Sequence, residues 1–331
     1  WVNAGSMTNK GLEFTLNTVN IDTKDFYWKS GLTLSFNRNK VTDLYTETAA
    51  IAGIIGSETF TYTQVGQPVG QFYGYKVKGM FNTESDFYQK DKYGNFILDE
   101  NGNKKQVAIP KDKTIGANGV WIGDFIFEDK DGNGIIDEQD RDFISNPEPK
   151  FTFGINNSFS YKNFDLNIFL NGVYGNKIYN QMRKRFTNPM NNSGMLKETT
   201  GIAIIERIDP NGSFQDISNV RVANPGAKVQ RITASDTNDN SRMSDRFIED
   251  GSYLRIKNIS LGYTFPKKVL SKLQFENLRV YMNIQNLYTF TKYKGYDPEI
   301  GAYYQNVVTK GIDHARYPSQ RIYTFGLNLT F

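Results

Sequence analysis

The sequence predicts an all-β chain that forms part of an antiparallel barrel spanning a membrane. Three observations predict this fold: apolar and polar residues alternate with a period of two, the alternating segments reach ten or more residues, and aromatic residues collect near their ends. Strands of soluble proteins usually have about 5–6 residues. Long alternating strands with aromatic ends are instead typical of a barrel wall in contact with lipid.

The last strand shows the alternation most clearly. One side of it is apolar and aromatic, with Tyr323, Phe325, Leu327, Leu329 and Phe331. The other side is small and polar, apart from its first residue, with Ile322, Thr324, Gly326, Asn328 and Thr330. Because the pattern continues to Phe331, we expect this residue to be the end of a barrel strand.

Two further features of the pattern concern strand pairing. Residues 151–161 and 164–170 alternate on either side of Lys162-Asn163, which predicts a hairpin with a very short turn. Between residues 254 and 265 the apolar positions change parity near Lys257-Asn258. A β-bulge at that point would restore the register of the strand.

Long polar segments rich in Gly, Asn, Asp, Ser and Thr interrupt the strands at about residues 46–120 and 176–250. Loops of this length are uncommon inside compact soluble domains. In outer-membrane barrels, periplasmic turns are short and extracellular loops are long. The two segments are therefore interpreted as extracellular loops, and any helices are expected to be few, short and confined to loops.

Composition excludes several classes of function. The 331 residues include no cysteine and one histidine, His314, so thiol chemistry and paired-histidine catalysis have no basis and we expect no enzymatic activity. The net charge is +4 with both signs interspersed, which does not indicate binding to nucleic acid. On these features alone, a secreted, non-catalytic carbohydrate-binding β-sandwich remains the alternative to a barrel.

One local motif predicts a metal site. The spacing of residues 129–140 is that of a calcium-binding EF-hand loop, in which alternate positions of a tight turn supply oxygen ligands. The predicted ligands are Asp129, Asp131, Asn133, the carbonyl of Ile135, Asp137 and Asp140. We expect a structural Ca²⁺, with Mg²⁺ as the alternative ion, and a metal-free turn in a surface loop as the alternative structure.

Several segments, taken in their order along the chain, resemble the SusC/RagA family of TonB-dependent transporters from the Bacteroidetes outer membrane. They are residues 3–13 (NAGSMTNKGLE), 36–41 (FNRNKV), 65–75 (VGQPVGQFYGY), 123–151 (from GDFIFEDKDGNG to NPEPKF) and 249–258 (EDGSYLRIKN). Ser145 stands where the family has glycine. The matches follow the family's order over nearly the whole chain.

The resemblance implies the C-terminal part of a 22-stranded barrel in the outer membrane, in contact with membrane lipid and lipopolysaccharide. In this family a SusD-like surface lipoprotein closes the barrel, and glycans or peptides are imported with energy from TonB. The chain begins at Trp1 without an initiator methionine. We therefore expect residues 1–331 to be a fragment, with the plug domain, the TonB-binding segment and the signal peptide upstream.

Tyr303 and Tyr304, in the segment from Gly295 to His314, are the candidate ligand-binding residues. Aromatic rings in an extracellular loop could stack on sugars. The alternative is that they pack within the loop or belong to the interfacial aromatic residues.

Overall fold

The computed structural model describes residues 5–45, 50–191, 194–270 and 275–331. In these ranges it is mostly antiparallel β-sheet with two short α-helices, α1 (Gln181–Phe186) and α2 (Lys267–Leu270). None of the helices in this part of the chain is long and apolar enough to cross a membrane. The expectation of few, short helices is confirmed.

In chain order the strands are β1 (Gly5–Asp22), β2 (Phe26–Leu44), β3 (Ala50–Ile55), β4 (Glu58–Gln64), β5 (Gln71–Gly74), β6 (Val77–Met80), β7 (Ile109–Pro110), β8 (Phe125–Phe127), β9 (Ile135–Ile136), β10 (Asp142–Ser145), β11 (Phe151–Tyr161), β12 (Phe164–Tyr174), β13 (Lys177–Asn180), β14 (Ile205–Arg207), β15 (Val220–Val222), β16 (Ile248–Asp250), β17 (Tyr253–Thr264), β18 (Asn277–Thr291), β19 (Ile312–Asp313) and β20 (Ile322–Thr330). Short 3-10 helices cover Glu84–Phe87, Glu138–Asp140, Lys197–Gly201, Ile217–Asn219, Asp245–Phe247, Tyr303–Gln305 and Val307–Thr309.

Seven long strands form one antiparallel sheet, which we call the wall. Their order is β1-β2-β11-β12-β17-β18-β20, so neighbours in the sheet also follow one another along the chain among these seven. They contain 9 to 19 residues each, longer than strands of most soluble proteins. Among the described residues the wall is open, with β1 and β20 at its edges, so the expected total of 22 strands stays a prediction.

The connections between wall strands differ sharply at the two ends. At one end, residues 23–25 and 162–163 form short turns, and the chain between Thr264 and Asn277 joins neighbouring strands at the same end. The segments 45–150, 175–252 and 292–321 are all at the opposite end. This asymmetry follows from the up-and-down order of the strands, and the predicted turn at Lys162-Asn163 closes the hairpin of β11 and β12.

One face of the wall is mostly apolar because the strand register aligns the alternating residues, and the hydrogen-bonded pair of Ser30 and Asn157 is a polar interruption of it. In the middle strands, Leu170 pairs with Ile256, and Ile259 pairs with both Ile168 and Ile284. The change of parity in β17 occurs where predicted, since the register with β12 shifts between Ile256 and Asn258 and leaves Lys257 as the extra residue. The bulge returns the later apolar residues of β17 to the same face.

Aromatic residues form two bands across this apolar face. The band nearer the long segments contains Phe36, Phe151, Tyr174, Tyr288 and Phe290. The band nearer the short turns contains Phe26, Trp28, Phe159, Tyr161, Phe164, Tyr263 and Phe265. From Phe36 to Trp28 the strand advances by roughly 26 Å, at about 3.3 Å per residue. Because barrel strands tilt by about 35–45°, this length spans roughly 20 Å along the membrane normal, which approaches the height of the apolar band in outer-membrane barrels, about 25 Å.

The opposite face of the wall is polar and carries an ion pair that crosses a strand. Arg279 in β18 donates two hydrogen bonds to Asp165 in β12, at 2.7 and 3.1 Å. The pair passes over Gly262 of the intervening β17, where any side chain would overlap both partners. The glycine in this strand therefore makes room for a bridge between strands that are not direct neighbours.

The described parts of the long segments hold most of the buried apolar side chains found in the described ranges. We call residues 50–150, 175–191, 194–252 and 292–321 the loop cap. Its larger core surrounds Phe81, Trp121 and Phe125, and a second core surrounds Phe72 and Tyr179. The segments that the sequence predicts as long polar loops, at about 46–120 and 176–250, thus contribute to packed cores.

A buried ion pair fastens the larger core. Asp124 is fully buried and accepts two hydrogen bonds from Arg231, at 2.9 and 3.2 Å. The Trp121 N–H and the Asn240 side chain also donate to Asp124. Burial raises the pKa of Asp124, while the hydrogen bonds and charge of Arg231 oppose that rise. Asp124 therefore joins two parts of the cap that are 107 residues apart in sequence.

Candidate functional site

Three carboxylates converge in the loop at residues 129–140. Ligand oxygens of Asp129, Asp131 and Asp140 all lie within 4.8 Å of one another. Asp140 is buried, Asp129 is partly exposed and Asp131 is exposed. Three negative charges at such separations repel one another, and a divalent cation between them would relieve that repulsion.

Backbone hydrogen bonds hold the loop in shape. Asp129 accepts from the N–H groups of Gly132 and Gly134 at 2.8 and 2.9 Å. Both glycines have positive φ, 76° and 83°, which lets the chain turn sharply towards the Asp129 carboxylate. Asp140 accepts from the N–H groups of Lys130 and Asp137 at 2.7 and 2.8 Å.

The other predicted ligands make local contacts. Asn133 accepts from the Ile135 N–H at 2.7 Å, and Asp137 accepts from the Gln139 N–H at 2.8 Å, which caps the following 3-10 helix. Ile135 belongs to β9, which pairs with β7. The structure thus brings three of the six predicted ligands close together, in a loop attached to the larger core through the buried Ile136.

Tyr303 and Tyr304 lie at a tight bend of the segment 292–321. Their ring centroids are 4.4 Å apart with the planes at 70°, and Tyr303 also contacts the His314 ring at 4.7 Å. Tyr303 is partly buried, whereas Tyr304 is 86% exposed. The pair therefore presents one ring to solvent and supports it with another.

Arg255 of the wall anchors the start and the end of this segment. Its buried guanidinium donates to Asp297, to Glu299 at 2.6 Å and to Ser319 at 3.1 Å. Burial favours the neutral form of Asp297, but hydrogen bonds from Glu299, Ser319 and Arg255 outweigh burial and lower its pKa. This arginine holds the base of the tyrosine segment against the polar face of the wall.

A second set of contacts holds the bend itself. The Tyr293 hydroxyl donates to Asp313 at 2.5 Å, and burial together with this carboxylate raises the pKa of Tyr293. Thr61 in β4 donates to the carbonyl of Val308. These contacts hold the bend that carries Tyr304 against the rest of the loop cap.

Two residues beside the tyrosines, His314 and Arg316, were not predicted as site residues. Both line a cavity of about 300 Å³ that also touches Tyr303 and Tyr304. Burial lowers the pKa of His314, which favours the neutral imidazole. Neither residue carries a local sequence signal for this role, because the bend that brings them to the tyrosines depends on distant anchors.

Similarities to known proteins agree with the architecture. The chain is 33% identical to the TonB-dependent receptor P3 of Formosa agariphila, over 99% of the chain and 29% of that relative. It is 29% identical to the TonB-dependent receptor SusC of Bacteroides thetaiotaomicron, over 99% of the chain and 27% of SusC. The chain thus spans less than a third of the length of these curated relatives. A scan against models of known protein families found no match.

A solved structure of the RagAB peptide transporter has a TM-score of 0.68 and 20% identity, over 99% of this chain and 30% of that one. This likeness shows that the chain shares its strand-rich fold with the corresponding part of that structure. The chain belongs to the SusC/RagA family of TonB-dependent receptors, as its motifs predicted.

Proposed function

We propose that the chain is the C-terminal part of an outer-membrane barrel that imports glycans or peptides. The observation that carries this proposal is the apolar face of the wall, which remains open to solvent between its two aromatic bands. Leu12 is 66% exposed and Phe325 is 75% exposed on that face. A bilayer would cover this surface, with the aromatic bands at its two interfaces.

The proposed transport cycle requires partners that act on the complete receptor. TonB would supply energy through the part of the receptor outside this chain, and a SusD-like lipoprotein would cover the extracellular end. Such a lid would dock on the loop cap, because the long loops of outer-membrane barrels are extracellular. Family membership supports these partners, and the relatives are named receptors and transporters, which supports a role without catalysis.

Exposure of the apolar face argues against the secreted β-sandwich. A sandwich buries that face against a second sheet about 10 Å away. In the described ranges, the side chains of β20 on this face are exposed. A soluble protein would not leave so large an apolar surface in water.

Membrane fractionation tests the location. We expect the complete receptor to sediment with the outer membrane and to need detergent for release, because its wall faces lipid. Recovery as a monodisperse soluble protein without detergent would contradict the barrel and favour the sandwich.

We further propose that residues 129–140 bind Ca²⁺, or alternatively Mg²⁺, and that the ion stiffens the loop cap. The proximity of Asp129, Asp131 and Asp140 supports this role. Asn133, Asp137 and the Ile135 carbonyl would complete the ligand set. Because Ca²⁺ accepts 6–8 oxygen ligands in flexible geometry and Mg²⁺ requires a regular octahedron, the loop suits calcium better.

Replacing Asp131 by alanine is expected to abolish calcium binding measured by calorimetry and the accompanying increase in thermal stability. Asp99→Ala is a matched control because Asp99 stabilises a similar Asn-Gly turn without the EF-hand spacing. Equal heats of binding for the wild type and Asp131→Ala would overturn the calcium site.

Tyr303 and Tyr304 are proposed to contact the imported ligand. The exposed Tyr304 ring, the adjoining cavity and the anchored segment support this role.

A further inference from the structure

We propose that Tyr303, Tyr304 and Arg316 form a subsite for an acidic saccharide, one whose sugar ring carries a carboxylate or a sulfate. The inference rests on the proposed ligand role of the two tyrosines and adds the chemical class of the ligand. It is carried by three observations: the backbone at Tyr304, the guanidinium of Arg316 and the lining of the cavity between them.

The backbone presents Tyr304 at an energetic cost. Tyr304 has φ 45° and ψ 36°, and the next residue, Gln305, has φ 61°. Two successive residues other than glycine in the left-handed region are unfavourable, and such conformations persist where the surroundings impose them. Here the surroundings are the anchors at Arg255 and Val308, and the result is an aromatic ring held in solvent.

Arg316 supplies an unused positive charge. Its backbone N–H donates to Asp313 at 3.1 Å, but its guanidinium makes no hydrogen bond or ion pair within the described part of the chain. A guanidinium offers several N–H donors in a planar fork that matches a carboxylate or a sulfate. Arg316 is therefore available to a ligand, unlike Arg255, whose donors are occupied.

The lining of the cavity favours an anion. The cavity has a volume of about 300 Å³, and its lining side chains are aromatic, amide, imidazole, guanidinium and aliphatic groups, without a carboxylate among the lining residues. This volume is at the lower end of the range for small-molecule sites, about 300–1,000 Å³. Tyrosine rings combine an apolar face for the C–H groups of a sugar with a hydroxyl that can hydrogen-bond.

The local backbone does not favour an extended peptide. Peptides commonly bind by adding a strand to an exposed sheet edge. At this bend the Tyr303 carbonyl already accepts from the Asn306 N–H at 3.0 Å and from the Thr309 hydroxyl at 3.3 Å, and the Val308 carbonyl accepts from Thr61. The segment thus offers side chains rather than a free strand edge.

Calorimetry on the complete receptor in detergent tests the subsite with four probes: a galacturonic acid trisaccharide, a sulfated galactose trisaccharide, an uncharged galactose trisaccharide and triglutamate. We expect Arg316→Gln to lower the affinity for one or both acidic trisaccharides about 10-fold, the usual effect of losing a hydrogen bond to a charged group. The affinity for the uncharged trisaccharide should stay unchanged. The two acidic probes distinguish a carboxylate from a sulfate. Tyr304→Ala should lower the affinity for every trisaccharide that binds.

Matched controls are Arg321→Gln and Tyr93→Ala, which remove an exposed arginine and an exposed tyrosine outside the cavity. Neither should change binding. The proposed class of ligand, an acidic saccharide, is wrong if Arg316→Gln lowers the affinity for the uncharged trisaccharide as much as for the acidic ones. It is also wrong if no acidic trisaccharide binds. Binding of triglutamate that depends equally on Arg316 would replace the saccharide with an acidic peptide.

The same measurements separate this inference from the proposed function. If Tyr304→Ala leaves the affinity for every bound probe unchanged, the proposed ligand role of the tyrosines is wrong, and so is the proposed subsite. The proposed import function would still be tested by membrane fractionation, because these variants do not alter the location of the receptor.

Discussion

Replacing Asp124 by alanine is expected to lower the free energy of opening of the larger core by about 3–5 kcal/mol, the usual cost of leaving a buried charge without its partner. The Arg231 guanidinium would lose both of its hydrogen bonds to Asp124 while remaining almost completely buried. Hydrogen exchange in residues 119–127 and 229–240 measures the change, because local opening exposes these amides.

A second variant distinguishes loss of the pair from loss of the Asp124 side chain. Asp124→Ala combined with Arg231→Met removes both charges, so it should recover part of the stability. Asp239→Ala is a useful comparison because the Asp239 side chain is largely exposed where it approaches Arg242. Unchanged exchange in Asp124→Ala would show that the pair does not stabilise the core.

Replacing Ile259 by arginine is expected to destabilise the wall in a lipid bilayer by about 2–4 kcal/mol, as measured for arginine near the midplane of outer-membrane barrels. Ile259 lies between the two aromatic bands and pairs with Ile168 and Ile284 on the apolar face. Urea-induced unfolding of the complete receptor in lipid vesicles measures this cost.

Ser260→Arg is the matched control, one residue further along β17 on the polar face. An arginine there would face water inside the proposed barrel, so its cost should be much smaller. Equal losses of stability from Ile259→Arg and Ser260→Arg would mean that the apolar face does not contact lipid.

The wall was predictable because its information is local. Alternation with a period of two assigns each residue to a face, and a single change of parity is enough to place the bulge at Lys257. The hairpin turn at Lys162-Asn163 follows from the same pattern. The number of strands in the whole barrel depends on residues outside the described sheet, so the pattern alone could not establish it.

The cores of the loop cap were not predictable in this way. Their apolar residues, such as Phe81, Trp121 and Val222, are spaced without a period in segments rich in glycine and polar residues. Asp124 and Arg231 meet across 107 residues, and nothing near either residue indicates the other. Contacts of this kind arise from tertiary structure rather than from local sequence.

The candidate sites show the same division. The spacing of Asp129, Asp131 and Asp140 predicts a shared loop, and their carboxylates do converge. Arg316 gave no such signal because its relation to Tyr304 depends on how Arg255 and Val308 hold the segment.

Collision accessibility of spin labels along β20 tests most directly whether the wall spans a bilayer. The chain has no cysteine, so single cysteines can be introduced in this region without replacing others. In vesicles, labels at Phe325 and Leu327 should be more accessible to oxygen dissolved in lipid, and labels at Thr324 and Asn328 to a water-soluble nickel complex. Equal accessibility of all four positions to the nickel complex, with no preference for oxygen at Phe325 and Leu327, would contradict a lipid-facing wall.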